Sequence, residues 1–153
     1  MTVLQIAFKP QPVLREKSTE IEEINDEIKK LAADMLETMH ESKGVGLAAV
    51  QVGVAKRLIV IDIPKQDEER TPMVLVNPEI LASSEKRSFF REGCLSIPGI
   101  MADIDRPSEV TIQYKDLDGT RRVINASGVL ATCLQHEIDH LNGVLFTDYL
   151  ETY

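Results

Sequence analysis

Two histidines near the end of the chain lie four residues apart, with a glutamate directly after the first. They are His136 and His140, and the glutamate is Glu137. In an α-helix this spacing brings both imidazoles to one face, where they can bind one metal ion. Glu137 is then placed to move the protons of a water molecule at the metal. The pattern predicts metal-assisted hydrolysis; the alternative is two solvated, idle histidines on a surface helix.

The residues around this motif favour a half-buried helix. Apolar residues both precede and follow the histidines. Asn142-Gly143 is typical of a left-handed cap at the helix C-terminus. Either Asn125 or Ser127 can supply the cap at the N-terminus.

A third protein ligand is needed, because catalytic sites usually hold their metal through three side chains. The candidates are Cys94, Cys133, His40 and any carboxylate. Cys133 shares nearly the same helical face as the histidines. It lies about 7 Å along the axis from a metal held between them, however, which favours a packing residue near the site. Cys94 lies in a segment with glycines at 93 and 99, which we interpret as a loop, and on its own it is weak evidence.

Length and composition narrow the class of protein. A chain of 153 residues, 43% hydrophobic and 27% charged, fits one soluble globular domain spanning 1–153. It has no apolar run that could span a bilayer and no targeting segment. A cytoplasmic location is the simplest interpretation, with an imported organellar protein as the alternative. The net charge of -8 argues against nucleic-acid binding as its main role.

The pattern of apolar residues predicts an α+β domain with largely antiparallel or mixed sheets. An apolar stripe predicts a helix from Ile24 to His40. Short segments that are rich in β-branched residues, or that alternate between apolar and polar residues, predict strands. A turn signal at 116–119 predicts a hairpin. The predicted strands are 57–63, 73–76 (ended by Asn77-Pro78), 109–115 and the returning 120–124, with a surface loop at 65–71.

Three segments together resemble the signature motifs of the peptide deformylase family. They are Gly-Val-Gly-Leu-Ala-Ala-Val-Gln at 44–51, Glu-Gly-Cys-Leu-Ser at 92–96 and Gln-His-Glu-Ile-Asp-His at 135–140. Taken alone, the first segment predicts only a tight turn into a buried segment. The resemblance covers nearly the whole chain. It implies a compact α+β domain with a metal-binding helix packed inside surrounding sheets, and an N-terminal helix.

The resemblance also implies a reaction: removal of the N-formyl group from the initiator methionine of new polypeptides, with release of formate. The nucleophile would be a metal-bound water, and Glu137 the general base. The amide of Gln51 and the backbone N–H of Leu95 would stabilise the oxyanion. The implied metal ligands are Cys94, His136 and His140. The implied ion is Fe²⁺, with Zn²⁺, Ni²⁺ or Co²⁺ as substitutes.

The resemblance further implies how the substrate binds. An apolar pocket would accept the methionine side chain, and the peptide would add as a strand to an exposed edge. Thr132 is more polar than the aliphatic residue that often occupies its position, and Met101 stands near a place where several relatives carry arginine. The implied pocket residues are Val45, Gly46, Gly93, Val129, Thr132 and Cys133.

The resemblance leads us to expect a monomer whose partners are N-formyl-methionyl nascent peptides, without nucleic-acid or membrane contacts. The chain stops at Tyr153, whereas many bacterial members continue into a C-terminal helix that docks on the ribosome. We therefore expect weak or absent docking, and an organellar, phage or divergent bacterial origin. Two rival functions remain: a zinc endopeptidase, which also uses His-Glu-x-x-His, and a non-catalytic metal- or peptide-binding module.

Overall fold

The computed structural model describes residues 2–64 and 71–150. Two α-helices occur within these residues, α1 (Asp26–Glu41) and α2 (Gly128–Leu141). The strands are β1 (Gly46–Ala48), β2 (Leu58–Ile61), β3 (Met73–Ser83), β4 (Arg87–Cys94), β5 (Ile97–Pro107), β6 (Glu109–Lys115) and β7 (Arg121–Ser127). Short 3₁₀ helices span Pro12–Arg15, Ala49–Val52 and Phe146–Leu150.

All strand pairs are antiparallel. Five strands form one sheet in the order β1-β2-β3-β6-β7, and β4 and β5 form a separate hairpin. This arrangement confirms the α+β class and the antiparallel sheets predicted from the sequence. The predicted hairpin formed by β6 and β7 is also confirmed, with the returning strand running on to Ser127.

The strand β2 lies between two apolar layers, which explains why all four of its residues are aliphatic. Leu58 and Val60 pack in the cluster that contains the buried face of α1, while Ile59 and Ile61 pack in the cluster that contains α2. The helix α1 begins two residues later than predicted, because the side chain of Asn25 accepts a hydrogen bond from the backbone N–H of Ile28. The two helices thus cover opposite faces of the sheet.

One strand prediction needs correction. Asn77-Pro78 does not end β3, which continues to Ser83 through a register shift between Val76 and Glu79. This shift accommodates a proline that lacks an N–H. The Asn77 side chain also ties the bulge to the backbone N–H and C=O of Ile21, both at 2.8 Å. Of the predicted loop at 65–71, residues 65–70 lie outside the described residues.

The segment at 92–99, interpreted above as a loop, is the closed end of the β4–β5 hairpin. Cys94 pairs with Ile97, so only Leu95 and Ser96 form the turn. The hairpin shares an apolar cluster with the 3₁₀ segments, including Leu14 and Phe146. Cys94 is therefore held at the end of a paired strand.

The predicted left-handed cap of α2 is confirmed. Gly143, directly after the C-cap residue Asn142, has a φ of +74°. At the other end Ser127 occupies the N-cap position, although its side chain makes no capping hydrogen bond. A Cβ on Gly143 would lie 2.6 Å from the carbonyl oxygen of Arg15. Both the backbone angle and the packing therefore require glycine at this position.

Gly143→Ala is expected to lower the free energy of unfolding by about 3 kcal/mol, combining left-handed strain with overlap against the Arg15 carbonyl. The matched control is Gly119→Ala, where φ is +83° and a Cβ meets nothing within 4 Å. The control should cost only about 1 kcal/mol. Urea unfolding of both variants checks the difference, and equal losses would contradict the packing argument.

Candidate metal centre

Three donor atoms from two distant parts of the chain meet beside α2. Its helical geometry places the Nε2 atoms of His136 and His140 3.3 Å apart, and both side chains are buried. The hairpin brings the Sγ of Cys94 to 3.3 Å from the Nε2 of His140. All three donor atoms lie within 4.8 Å of one another. The idle-histidine alternative does not fit this buried cluster.

The chemistry of this donor set fits a divalent transition metal. One thiolate and two imidazoles suit zinc, iron and related ions, and three ligands leave a coordination position open. The groups around the two histidines shift their pKa values in opposite directions. Burial opposes a charged imidazole, but Cys94, Glu137 and Glu92 together raise the pKa of His136 to about 10. Burial and the charge of His136 lower the pKa of His140.

Glu137 lies on α2 directly beside the donor atoms and is buried. Its Oε1 has no hydrogen-bond partner among the described residues, so this atom is available to a ligand. Burial raises the pKa of the Glu137 carboxyl to about 7. The backbone of Gly46 passes so close that a Cβ there would lie 2.7 Å from Glu137 Oε2. The absence of a side chain at 46 thus leaves the space that this carboxylate occupies.

Gly46→Ala is therefore expected to displace the Glu137 carboxylate and lower kcat about 10- to 100-fold, since small misplacements of a reacting group are costly. Steady-state formate release with a formyl-methionyl peptide measures the effect. The control is Gly119→Ala between β6 and β7, whose Cβ would meet nothing within 4 Å and which should keep the wild-type kcat. A wild-type kcat in Gly46→Ala would contradict the proposed contact.

Gln51 reaches the same centre from the 3₁₀ helix that follows β1. Its Oε1 accepts a hydrogen bond of 2.9 Å from the backbone N–H of Ala48, which fixes the orientation of the amide. Its Nε2 then donates to Ser96 Oγ at 3.0 Å and approaches Cys94 Sγ at 3.6 Å. Leu95 lies in the turn between Cys94 and Ser96. The predicted oxyanion groups are thus brought to the donor cluster, together with Ser96, which the sequence analysis did not select.

A buried ion-pair network fixes the ring of His136, and the sequence analysis missed it. The Nδ1 of His136 lies 3.0 Å from Glu92 Oε1, and Arg106 donates two hydrogen bonds to the Glu92 carboxylate at 2.6 and 2.9 Å. Burial alone would raise the pKa of Glu92, but these two partners hold it below its usual range. An ionised Glu92 accepts a hydrogen bond from Nδ1–H, so Nε2 is the nitrogen of His136 that would bind a metal.

Arg106 could have been found from its position in β5. Residues alternate between the two faces of a strand, and Arg106 shares the buried face with Ile104. A charged residue on an apolar face requires a buried partner. Its partner Glu92 is 14 residues earlier in the chain, so the pairing itself depends on the hairpin register.

A cavity of about 510 Å³ opens onto the donor cluster. Burial raises the pKa of the Cys133 thiol, on its wall, to about 12, so this sulfur stays protonated. Met101 also lines the cavity. The structure brings all six residues of the predicted methionine pocket to its wall: Val45, Gly46, Gly93, Val129, Thr132 and Cys133.

The remaining ligand candidates lie apart from this cluster. His40, near the end of α1, pairs with Asp62 at 2.6 Å. Cys133 is not among the converging donor atoms, and both cysteines are free thiols. The fold and the site therefore define a candidate metal-dependent hydrolase that uses one cysteine and two histidines.

Comparison with known proteins assigns this class to a family. The sequence model of the polypeptide deformylase family matches residues 3–153. Peptide deformylase of Rhizobium meliloti is 53% identical over 150 residues, which cover 98% of this chain and 86% of that protein. The chain belongs to the polypeptide deformylase family.

Solved structures agree with this assignment. The peptide deformylase of Ehrlichia chaffeensis in complex with actinonin superimposes with a TM-score of 0.95 at 46% identity, covering 99% of this chain and 91% of that one. The Met-Ala-Ser-bound enzyme of Acinetobacter baumannii gives 0.91 at 33% identity, covering 97% and 98%. The protein is an enzyme that removes the N-formyl group from nascent peptides. No helix among the described residues is long and apolar enough to cross a membrane.

Proposed function

We propose that Cys94, His136 and His140 hold one divalent metal ion and that Glu137 is the general base of the deformylation reaction. The observation that carries this proposal is the convergence of the three donor atoms within 4.8 Å beside a buried carboxylate. Fe²⁺ is the ion we assign in the cell, on the family resemblance, with Zn²⁺, Ni²⁺ or Co²⁺ as substitutes.

Each group has a separate role in the proposed reaction. A bound metal supplies Lewis acidity, which makes water a better nucleophile and stabilises negative charge on oxygen. Glu137 takes a proton from the water that attacks the formyl carbon. The Gln51 amide and the Leu95 N–H donate to the formyl oxygen as it becomes negative. Glu137 then passes the proton to the departing amine, so formate and a free N-terminus leave.

The peptide is proposed to bind along β1, an edge strand of the five-stranded sheet. The Asp62 N–H donates to the Val45 carbonyl at 2.9 Å. Because hydrogen-bonded and non-bonded pairs alternate in antiparallel strands, the N–H and C=O of Gly46 point away from β2. These groups are available to an added strand beside the cavity. The six wall residues then enclose the methionine side chain.

The ligands of related enzymes support a peptide substrate. The Acinetobacter baumannii structure holds Met-Ala-Ser, which is the product that deformylation of formyl-Met-Ala-Ser would leave. From the sequence and the family resemblance we infer a monomeric enzyme with one catalytic domain, 1–153, that acts in the cytoplasm on formyl-methionyl nascent chains.

The test is anaerobic purification with metal analysis, followed by formate release from formyl-Met-Ala-Ser. An N-acetylated, internally quenched peptide is assayed in parallel to detect endopeptidase activity. We expect formate release that tracks metal content, and no cleavage of the quenched peptide. Cleavage of the quenched peptide would show an additional endopeptidase activity. Formate release that does not depend on metal content would contradict the proposed metal site.

A further inference from the structure

The network around His136 continues to the surface through a tyrosine near the end of the chain. Tyr149, in the 3₁₀ helix Phe146–Leu150, donates its hydroxyl to Asp139 Oδ2 at 2.7 Å. The same oxygen accepts a hydrogen bond of 2.8 Å from Arg106 Nη1. The Tyr149 ring also covers the guanidinium of Arg106, whose Cζ lies 4.9 Å from the ring centroid. Tyr149 thus contacts Arg106 directly and through a shared carboxylate.

From this geometry we propose that Tyr149 is a positioning residue for the metal ligand His136. The connection runs from Tyr149 to Asp139, then to Arg106 and Glu92, and ends at the Nδ1 of His136. The hydrogen bonds along it measure between 2.6 and 3.0 Å. The proposal rests on the metal ligands assigned under Proposed function.

The chemistry of each contact explains how Tyr149 affects the orientation of His136 without touching it. Arg106 is 4% exposed, and it divides its N–H groups between Glu92 and Asp139. Burial and the hydrogen bond to Asp139 raise the pKa of Tyr149 to about 12, so the phenol remains a donor at neutral pH. The phenol and the ring together fix Asp139 and one face of the guanidinium. Arg106 then holds Glu92 in the orientation that binds His136.

The tests use Tyr149→Phe, which removes the hydroxyl and keeps the ring, and Tyr149→Leu, which removes both. Tyr114→Phe on β6 is the matched control, because Tyr114 packs against the core cluster and takes no part in the hydrogen bonds of this network. Each protein is loaded with Co²⁺ under anaerobic conditions. The measurements are the visible absorption spectrum of the bound Co²⁺, its rate of release to a chelator, kcat and KM, and the thermal unfolding of the metal-free protein.

Loss of a group that orients a metal-bound histidine costs about 10- to 100-fold in metal affinity, and Tyr149 acts further out. We expect Co²⁺ release about 3- to 10-fold faster in Tyr149→Phe, more in Tyr149→Leu, with a shifted Co²⁺ spectrum and unchanged KM. Tyr114→Phe should match the wild type. If the effect is local, the metal-free variants should unfold within about 2 °C of the metal-free wild-type protein.

A double-mutant cycle tests whether the effect passes through Asp139. Tyr149→Phe should speed Co²⁺ release less in the Asp139→Asn protein than in the wild-type protein. Additive effects would overturn the proposal, as would wild-type release and spectrum in both Tyr149 variants. Faster release that only follows a general loss of stability would also overturn it. A wild-type protein that binds no Co²⁺ would instead contradict the metal site of the proposed function.

Discussion

Replacing Glu137 by alanine or glutamine is expected to lower kcat for a formyl-methionyl peptide about 10³-fold while the metal stays bound. Neither side chain can take a proton from water. Glutamine keeps the size of the buried carboxylate next to Gly46, so a loss in this variant reports proton transfer and not a cavity. Because Glu137 is not among the three converging donors, the metal should remain.

Formate release and metal content are measured on the same samples. Glu109→Gln serves as the control, since it removes an exposed carboxylate on β6. This control should keep both wild-type turnover and metal. Turnover near the wild-type level in either Glu137 variant would show that another group acts as the base.

Removal of the sulfur ligand is the second change with a large expected effect. Cys94→Ala should weaken metal binding by more than about 100-fold, because loss of a ligand exceeds the cost of losing an outer partner. The two histidines would remain, held by α2, but a site with two protein ligands lacks the third donor that catalytic zinc-type sites use. Formate release should fall with the metal content.

Cys133→Ala provides a matched control for this experiment. It removes the other free thiol, which lines the cavity but lies outside the donor cluster. Metal binding should remain at the wild-type level, and any effect should appear in KM for the peptide. Full metal affinity in Cys94→Ala, or metal loss in Cys133→Ala, would show that the wrong sulfur was assigned.

Local patterns in the sequence were sufficient to predict the elements that depend on the spacing of neighbouring residues. The stripe of α1, the alternation of β6 and the cap at Gly143 each reflect contacts within a few residues. The spacing of His136 and His140 belongs to this class as well. Their orientation follows from helical geometry alone, once α2 forms.

Features that depend on contacts between residues far apart in the chain were harder to predict from the sequence. Cys94 meets His140 across 46 residues, so helix geometry could argue against Cys133 but could not select Cys94. The β4–β5 hairpin was missed because the glycines and proline at its closed end are typical of a loop. The register of this hairpin also creates the pair between Glu92 and Arg106. No local pattern could reveal that pairing.

The layers of the fold therefore contribute to the site in different ways. The five-stranded sheet, covered by α1 on its opposite face, buries α2 on one side, and the hairpin closes the other side with the sulfur donor. Charged residues on the hairpin then orient the first histidine. We expect Gln51 and His136 to be held in place before substrate arrives, because each is fixed by buried hydrogen bonds.

The most direct test of the metal centre is X-ray absorption at the zinc edge of the protein loaded with Zn²⁺. The predicted spectrum has one sulfur neighbour at about 2.3 Å and two imidazole nitrogens at about 2.0–2.1 Å, with light-atom scattering from solvent completing the shell. The sulfur contribution should vanish in Cys94→Ala and persist in Cys133→Ala. A wild-type spectrum without sulfur, or with a third imidazole in place of solvent, would contradict this metal centre.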